Sequence, residues 1–152
     1  MKKLVIPLLV LLLSALVIGT MGCGENDEET VRDLVDEQIA ALNAVDLETV
    51  YSQRSPSYRS RVTLQEFDAF LKMAYAQFLP LVESGQAAVQ FTDLEIRIDG
   101  DYAYMTGNLR LNDTVLLQYT DESPDIWQKI DGTWYNLETD PRYPGYDPSE
   151  LP

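Results

Sequence analysis

The residues able to do chemistry are unevenly supplied. Histidine is absent from the 152 residues and cysteine occurs once, at Cys23. Without imidazole there is no Ser-His triad, no histidine base and no histidine metal ligand. One cysteine closes no internal disulfide and builds no thiolate zinc cage. What remains is carboxylates, tyrosines and a few cations: 25 Asp and Glu against 11 Lys and Arg, a net charge of −14. The cations cluster once, at Arg54, Arg59 and Arg61. They pair with nearby acids such as Asp46 and Glu48, or they form a carboxylate-binding rim. Tyr51, Tyr58 and Tyr75 either donate hydroxyls to a bound oxyanion or line a wall with the hydroxyl at the rim. By periodicity most acids lie on wet faces. None is placed in an apolar run where burial would raise its pKa, so a matched acid–base pair is not expected. Asp99-Gly100-Asp101 lacks the later ligands and the glutamate that a calcium loop needs and reads as a hairpin turn. No metal and no cofactor is expected.

Cys23 has a context. Lys2 and Lys3 precede an uncharged stretch from Leu4 to Gly24, and small residues come before the cysteine. A basic start, an apolar core and small residues before a cut site describe a secretory signal. Thr20-Met21-Gly22-Cys23 resembles the lipobox of bacterial lipoproteins, with Gly22 as the small residue before the cut and Thr20 where leucine is usual. The resemblance implies a thioether-linked diacylglycerol and an acyl chain such as palmitate on Cys23, with cleavage after Gly22. The competing readings are a plain secretory signal or an uncleaved anchor. The 18 residues from Leu4 to Met21 stand near the lower limit of about 17 for a membrane span, and Pro7, Gly19 and Thr20 interrupt them. Under each reading the rest of the chain faces the extracytoplasmic side. Removing residues 1–22 takes away Lys2 and Lys3 and no acid, which leaves 9 basic against 25 acidic residues, net −16. Such a surface repels nucleic acid and anionic headgroups. In a bacterial lipoprotein the sequon-like Asn112-Asp113-Thr114 carries no meaning.

Stepping along the mature chain, Gly24–Thr30 holds four acids in seven residues and reads as a solvated tether. Val31, Leu34, Val35, Ile39, Leu42 and Val45 recur at steps of three and four, an amphipathic helix. Asn43 is an end signal and Asp46 an N-cap for a short second helix with Leu47, Val50 and Tyr51. That helix must stop before Ser55-Pro56. Thr63-Leu64-Gln65-Glu66 is a capping box. The helix it opens carries Phe67, Phe70, Leu71, Ala74 and Phe78 until Pro80 kinks or ends it. After Gly85 the period becomes two. Pairing Asp99 with Tyr102 puts Ile98 beside Ala103, Ile96 beside Met105, Arg97 beside Tyr104 and Glu95 beside Thr106. One face is then apolar and the other polar, and a one-residue slip would mix them. Val115–Thr120 is a third strand, and residues 126–130 and 133–138 flank the hairpin signal Asp131-Gly132. From Asp140 onward proline recurs at 141, 144, 148 and 152; this tail is extended or turn-like and packs through Tyr143 and Tyr146.

Residues 31–139 resemble the nuclear transport factor 2-like superfamily, also called SnoaL-like or cystatin-like cones. The resemblance rests on residues 47–51, 55–59, 63–67, 100–103 and 127–135, the last reading Trp127-Gln128-Lys129-Ile130-Asp131-Gly132-Thr133-Trp134-Tyr135. It implies an α+β fold in which N-terminal helices pack on a strongly curved antiparallel sheet around an apolar pocket. The organisation is then a lipoprotein signal peptide at 1–22, an acidic tether at 23–30, the cone domain at 31–139 and a Pro-rich tail at 140–152. Isomerases, hydrolases, cyclases and non-enzymes share this cone, so the fold leaves function open.

Three functions follow as expectations. The first is a lipid-anchored, non-enzymatic domain at the cell membrane that binds a small apolar ligand or a protein partner. Its pocket candidates are Tyr51, Tyr58, Arg59, Phe67, Tyr75 and Trp127, with Phe67, Phe70, Leu71 and Ala74 facing Leu94, Ile96 and Met105. The second is a small isomerase- or cyclase-type enzyme, signalled by an acid pointing into the cone beside a tyrosine. The third is a homodimer through the exposed sheet face with Arg97, Tyr102 and Tyr104. Nucleic acid is not an expected partner.

Overall fold

A computed structural model describes residues 23–152. The signal stretch 1–22, with Thr20-Met21-Gly22 of the lipobox, lies outside the described residues. Five helices come first: α1 (Cys23–Ala44), α2 (Leu47–Ser52), α3 (Pro56–Arg61), α4 (Leu64–Ala74) and α5 (Leu79–Glu83). Five strands follow: β1 (Val89–Asp99), β2 (Tyr102–Leu111), β3 (Thr114–Tyr119), β4 (Asp125–Ile130) and β5 (Thr133–Asn136). All strand-to-strand pairings among the described residues are antiparallel, and the sheet is open. The expected α+β class, helices on an antiparallel sheet, is what the chain adopts.

Helix boundaries follow local chemistry. Asp46 caps α2 by accepting from the Thr49 amide at 3.1 Å. Ser55 caps α3 by accepting from the Tyr58 amide at 3.0 Å, with Pro56 in the first turn where its missing N–H costs nothing. The capping box at α4 is complete. The Glu66 amide donates to Thr63 Oγ1 at 3.2 Å, and the Thr63 amide donates to Glu66 Oε2 at 2.8 Å.

Three elements differ from the sequence expectations. The acidic segment assigned to a tether is helical, because α1 begins at Cys23. Asp27 gives the start of that helix a tertiary partner, accepting from Lys129 Nζ at 2.7 Å and from Trp134 Nε1 at 3.4 Å. Ser55-Pro56 opens α3, a helix that a stop signal alone did not reveal. And α4 ends at Ala74, six residues before Pro80, which sits in the first turn of α5.

The sheet turns on β2. One edge of β2 pairs with β1 in the register that parity requires: Ile98 opposite Ala103, Ile96 opposite Met105, Asp99 opposite Tyr102. The other edge is shared. Tyr102–Met105 pairs with β4, whereas Gly107–Leu111 pairs with β3. The switch falls at Gly107, whose φ is +140°. A Cβ there would lie 2.5 Å from Phe91 Cε1 and 2.8 Å from the Thr92 carbonyl oxygen. The opposing β1 shifts register between Thr92 and Glu95, with Asp93 at φ +57°. A bulge facing a glycine bends a sheet sharply. The far half of β2 and β3 thereby leave the plane of β4 and β5.

The core divides accordingly. Val31 and Val35 of α1 pack on Ala103, Met105, Trp127 and Trp134, with Leu94, Ile96 and Ile98 at the margin. A second cluster joins Ala41, Val50, Tyr58, Val62 and Phe67 among the helices. A third joins Val82, Ala87 and Leu111 to Phe78, Val89 and Leu116. The helix on the apolar face of Leu94, Ile96 and Met105 is therefore α1, not α4 as the sequence suggested. Ala74 is exposed rather than facing the sheet.

Candidate functional site

Between the bent half of the sheet and α2–α5 lies a cavity of about 510 Å³. That is within the size of small-molecule sites, roughly 300–1,000 Å³. One wall comes from Leu109, Leu111, Leu116, Leu117 and Tyr119, and the other from Leu42, Val50, Phe67, Phe70, Leu71, Tyr75 and Phe78. The C-terminal segment Thr139–Pro144 closes one side. Tyr143 packs edge-on against Phe70, with ring centroids 4.9 Å apart, and its hydroxyl lies 3.4 Å from that of Tyr75. Gly145, at φ +80°, lets the segment pass over Tyr58, where a Cβ would stand 2.6 Å from the ring.

One end of the cavity is polar. Arg54, Asp125, Asn136 and Glu138 all line it. Arg54 Nη1 donates to Asn136 Oδ1 and to the Leu137 carbonyl at 3.3 Å, and lies 3.6 Å from Glu138 Oε2. Asn136 Nδ2 donates onward to both carboxyl oxygens of Asp125, each at 3.0 Å. Trp127 Nε1 donates to Asp125 Oδ2 at 3.2 Å. A line thus runs from Glu138 through Arg54 and Asn136 to Asp125. The backbone holds it in place, since the Asn136 amide donates to the Gln53 carbonyl at 2.8 Å and brings β5 against the α2–α3 junction.

Burial sets the electrostatics of this end. Loss of water raises the Asp125 carboxyl above the ordinary carboxylate range; the Asn136 bonds and the Arg54 charge oppose that rise. Glu138, 8% exposed, is likewise raised by desolvation against the pull of Arg54. Desolvation pushes the Tyr58 phenol to about 12 and raises Tyr75 and Tyr119 as well, Tyr119 additionally through the neighbouring Asp125 charge. At neutral pH these phenols keep their protons and are hydrogen-bond donors.

The structure brings three of the six pocket candidates into the lining: Tyr58, Phe67 and Tyr75. Tyr51 is outside it. Its hydroxyl donates to the Val62 carbonyl at 2.8 Å, and its ring tilts against Phe67. Arg59 stands over the Tyr135 ring at 5.7 Å and is not in the lining. Trp127 is fully buried in the α1–sheet core and reaches the site only through Asp125. The arginine cluster disperses and forms no rim. Arg54 points inward, and Arg61 clamps the tail by donating to Glu150 at 2.9 and 3.1 Å and to the Gly145 carbonyl at 2.7 Å. Its acidic partners, Glu150 and Asp147, lie far along the chain, not at Asp46 and Glu48.

The expectation that no acid is placed where burial raises its pKa is overturned by Glu138, which is buried, and by the half-buried Asp125, both raised by desolvation. Strand parity held the signal. Asp125 shares a face with the inward Trp127, and Asn136 and Glu138 share one with the inward Trp134. Elsewhere, Arg97 lies over Tyr104 at 4.3 Å and Gln128 Nε2 donates to the Tyr102 hydroxyl at 3.0 Å. By parity this is the polar face of the sheet. Among the described residues no group of three or more His, Cys, Asp and Glu is disposed to hold a metal ion. Also among the described residues, no helix is long and apolar enough to cross a membrane.

The fold and the site define a class: an open-sheet α+β domain with an apolar cavity and one polar end. The chain belongs to the family described as a domain of unknown function, DUF4864, whose model matches residues 24–133. The match takes in Arg54, Tyr119 and Asp125 and ends before Asn136, Glu138 and the covering tail. No curated protein matches the chain.

Proposed function

We propose that this protein is a lipid-anchored extracytoplasmic binding domain whose cavity takes a small, mainly apolar ligand. The observation that carries the reading is the cavity of about 510 Å³, walled by leucines and aromatic rings. Such surface is costly to leave wet and favourable to cover, at about 25 cal/mol per Å². The cavity is also framed mainly by helices and strands, which limits the ordering lost on binding. Lys2, Lys3, the apolar stretch and the Gly22-Cys23 pair support the anchor. Helices on a bent sheet around a pocket support the nuclear transport factor 2-like cone as the fold's relatives. The test is a non-denaturing mass spectrum of the protein purified from its native host, alongside Leu117→Trp, which fills the cavity. A bound small molecule in the wild type and none in the folded variant is expected. A wild type that carries none, and that binds nothing from a panel of apolar compounds, overturns the reading.

A second reading is a small isomerase- or cyclase-type enzyme. It is favoured by one observation: Asp125, raised by burial, lines the cavity together with the protonated phenol of Tyr119. A carboxylate base beside a phenol donor suits proton transfer next to a carbonyl. Chemical turnover of a bound neutral ligand that stops in Asp125→Asn while binding persists would establish it. Unchanged recovery of every bound ligand removes it.

A further inference from the structure

We infer that the ligand of this cavity is a cationic amphiphile: an apolar body carrying one primary-amine-type head that docks against Asp125. The inference rests on the binding reading above and names its ligand class.

The argument is a charge balance within the cavity. Five charged side chains line it: Arg54, Arg142, Asp125, Glu138 and Asp140. Arg142 and Asp140 satisfy one another at the entrance, with Arg142 Nε donating to both Asp140 oxygens at 2.9 and 3.0 Å. That leaves one guanidinium for two carboxylates inside. Arg54 gives its direct ion pair to Glu138 at 3.6 Å, and meets Asp125 only through the neutral amide of Asn136. Among the described residues, Asp125 therefore has hydrogen bonds but no ion pair in contact with it. A carboxylate has about four acceptor sites, and those of Asp125 are met by neutral donors alone: Asn136 on both oxygens, Trp127 on one, and the Ile126 backbone. What Asp125 lacks is a counterion in contact, and a buried charge is tolerated when it is paired as well as hydrogen-bonded.

The walls suit the same ligand. Tyr75, Phe78, Tyr119 and Tyr143 line the cavity with aromatic rings, a residue type that attracts cations as well as hydrocarbon. Phe91 stacks on Tyr119 at 5.9 Å and 8° and holds that ring in place. The net charge of −14 raises the local concentration of cations and lowers that of anions. A ligand carboxylate would enter against both Asp125 and Glu138. The pocket thus selects against the anions that an arginine rim would have favoured.

The experiment is titration calorimetry of the purified full chain, held in an amphipathic polymer in place of detergent, with polymer alone as the blank. The probes are decylamine, decan-1-ol and decanoate, which share a tail and differ in the head. High salt screens attraction to the surface. Decylamine is expected to bind at least about tenfold tighter than decan-1-ol, with decanoate the weakest, as one buried ion pair of about 1.4 kcal/mol or more gives. Asp125→Asn is expected to remove most of the preference for decylamine while decan-1-ol binding holds. Should Asp125→Asn not fold, Glu138→Gln tests the same balance. Freeing Arg54 to face Asp125 should cut the preference in the same direction. Equal binding of all three probes, tighter binding of decanoate, or a preference unchanged in the variants overturns the amine inference and leaves the cavity reading standing. Binding of none of them overturns both.

Discussion

Asp125 shows how one side chain can be held against its own preference. Its carboxyl is enclosed by Asn136, Trp127 and apolar wall, and desolvation outweighs the hydrogen bonds that favour ionisation. The folded chain then keeps that proton to a higher pH than the unfolded chain, whose value is the ordinary 3.8. Stability from the protonated form is full below that value and is lost as pH rises through the raised native one. Against Asp125→Asn, which cannot titrate, the wild type should therefore lose ground between about pH 4 and about pH 7.5. Denaturant unfolding of both proteins at the two pH values checks this; a gap that stays constant or moves the other way refutes it. Comparing the two proteins cancels the acids whose values are lowered, such as Asp140 beside Arg142 and Glu150 beside Arg61.

Among the elements, two features make sharp predictions. The capping box at Thr63 satisfies two otherwise orphaned amides of α4 reciprocally. Thr63→Ala should cost about 1 kcal/mol, which lowers the melting temperature by roughly 2–4 °C in a domain of this size. An unchanged melting curve would mean that packing alone holds the start of α4. Gly107 is the second. Its φ of +140° and the close approach of Phe91 leave no room for a Cβ. Gly107→Ala should destabilise by about 2 kcal/mol or more and, by straightening β2, narrow the cavity. Denaturant unfolding reads the first effect and decan-1-ol affinity the second. A stable variant with unchanged affinity would show that the bend is set elsewhere.

At the scale of the molecule, the tail and the N-terminus each tie a distant part of the chain to the domain. Arg61 holds the tail through Glu150, Asp147 and Gly145, so Tyr143 stays over the cavity. α1 carries Asp27 onto Lys129 and Trp134, so helix and sheet meet within the first turns after Cys23. A lipid on Cys23 would thus hold the whole domain close to the bilayer surface. One acyl chain binds a membrane only marginally, whereas two or more anchor it stably. Cys23→Ser should therefore release the protein from membranes or leave an uncleaved precursor, read by fractionation and intact mass. A serine variant that is cleaved and still fully retained on membranes would refute lipid anchoring.

What the amino-acid sequence determined by itself was local. Residue spacing gave α1, Asp46 and Thr63 named their caps, and the alternation of β1 and β2 specified their pairing, because a slip would bury Arg97 and expose Ile96. Asp131-Gly132 closed the last hairpin for the same kind of reason: two residues with positive φ have few alternatives. The tertiary structure decided which helix covers which half of the sheet. It placed α1 on the half paired with β4 and α4 across the cavity, since the bend needs Gly107 to meet the Thr92–Glu95 bulge of the neighbouring strand, and no local pattern fixes that meeting. It also decided the site. Arg54, Asp125, Asn136 and Glu138 are spread over residues 54–138 of the chain, and no period or motif links them. Their charges meet only because β5 pairs with the α2–α3 junction, which turns three ordinary polar residues and a strand-end aspartate into one desolvated line.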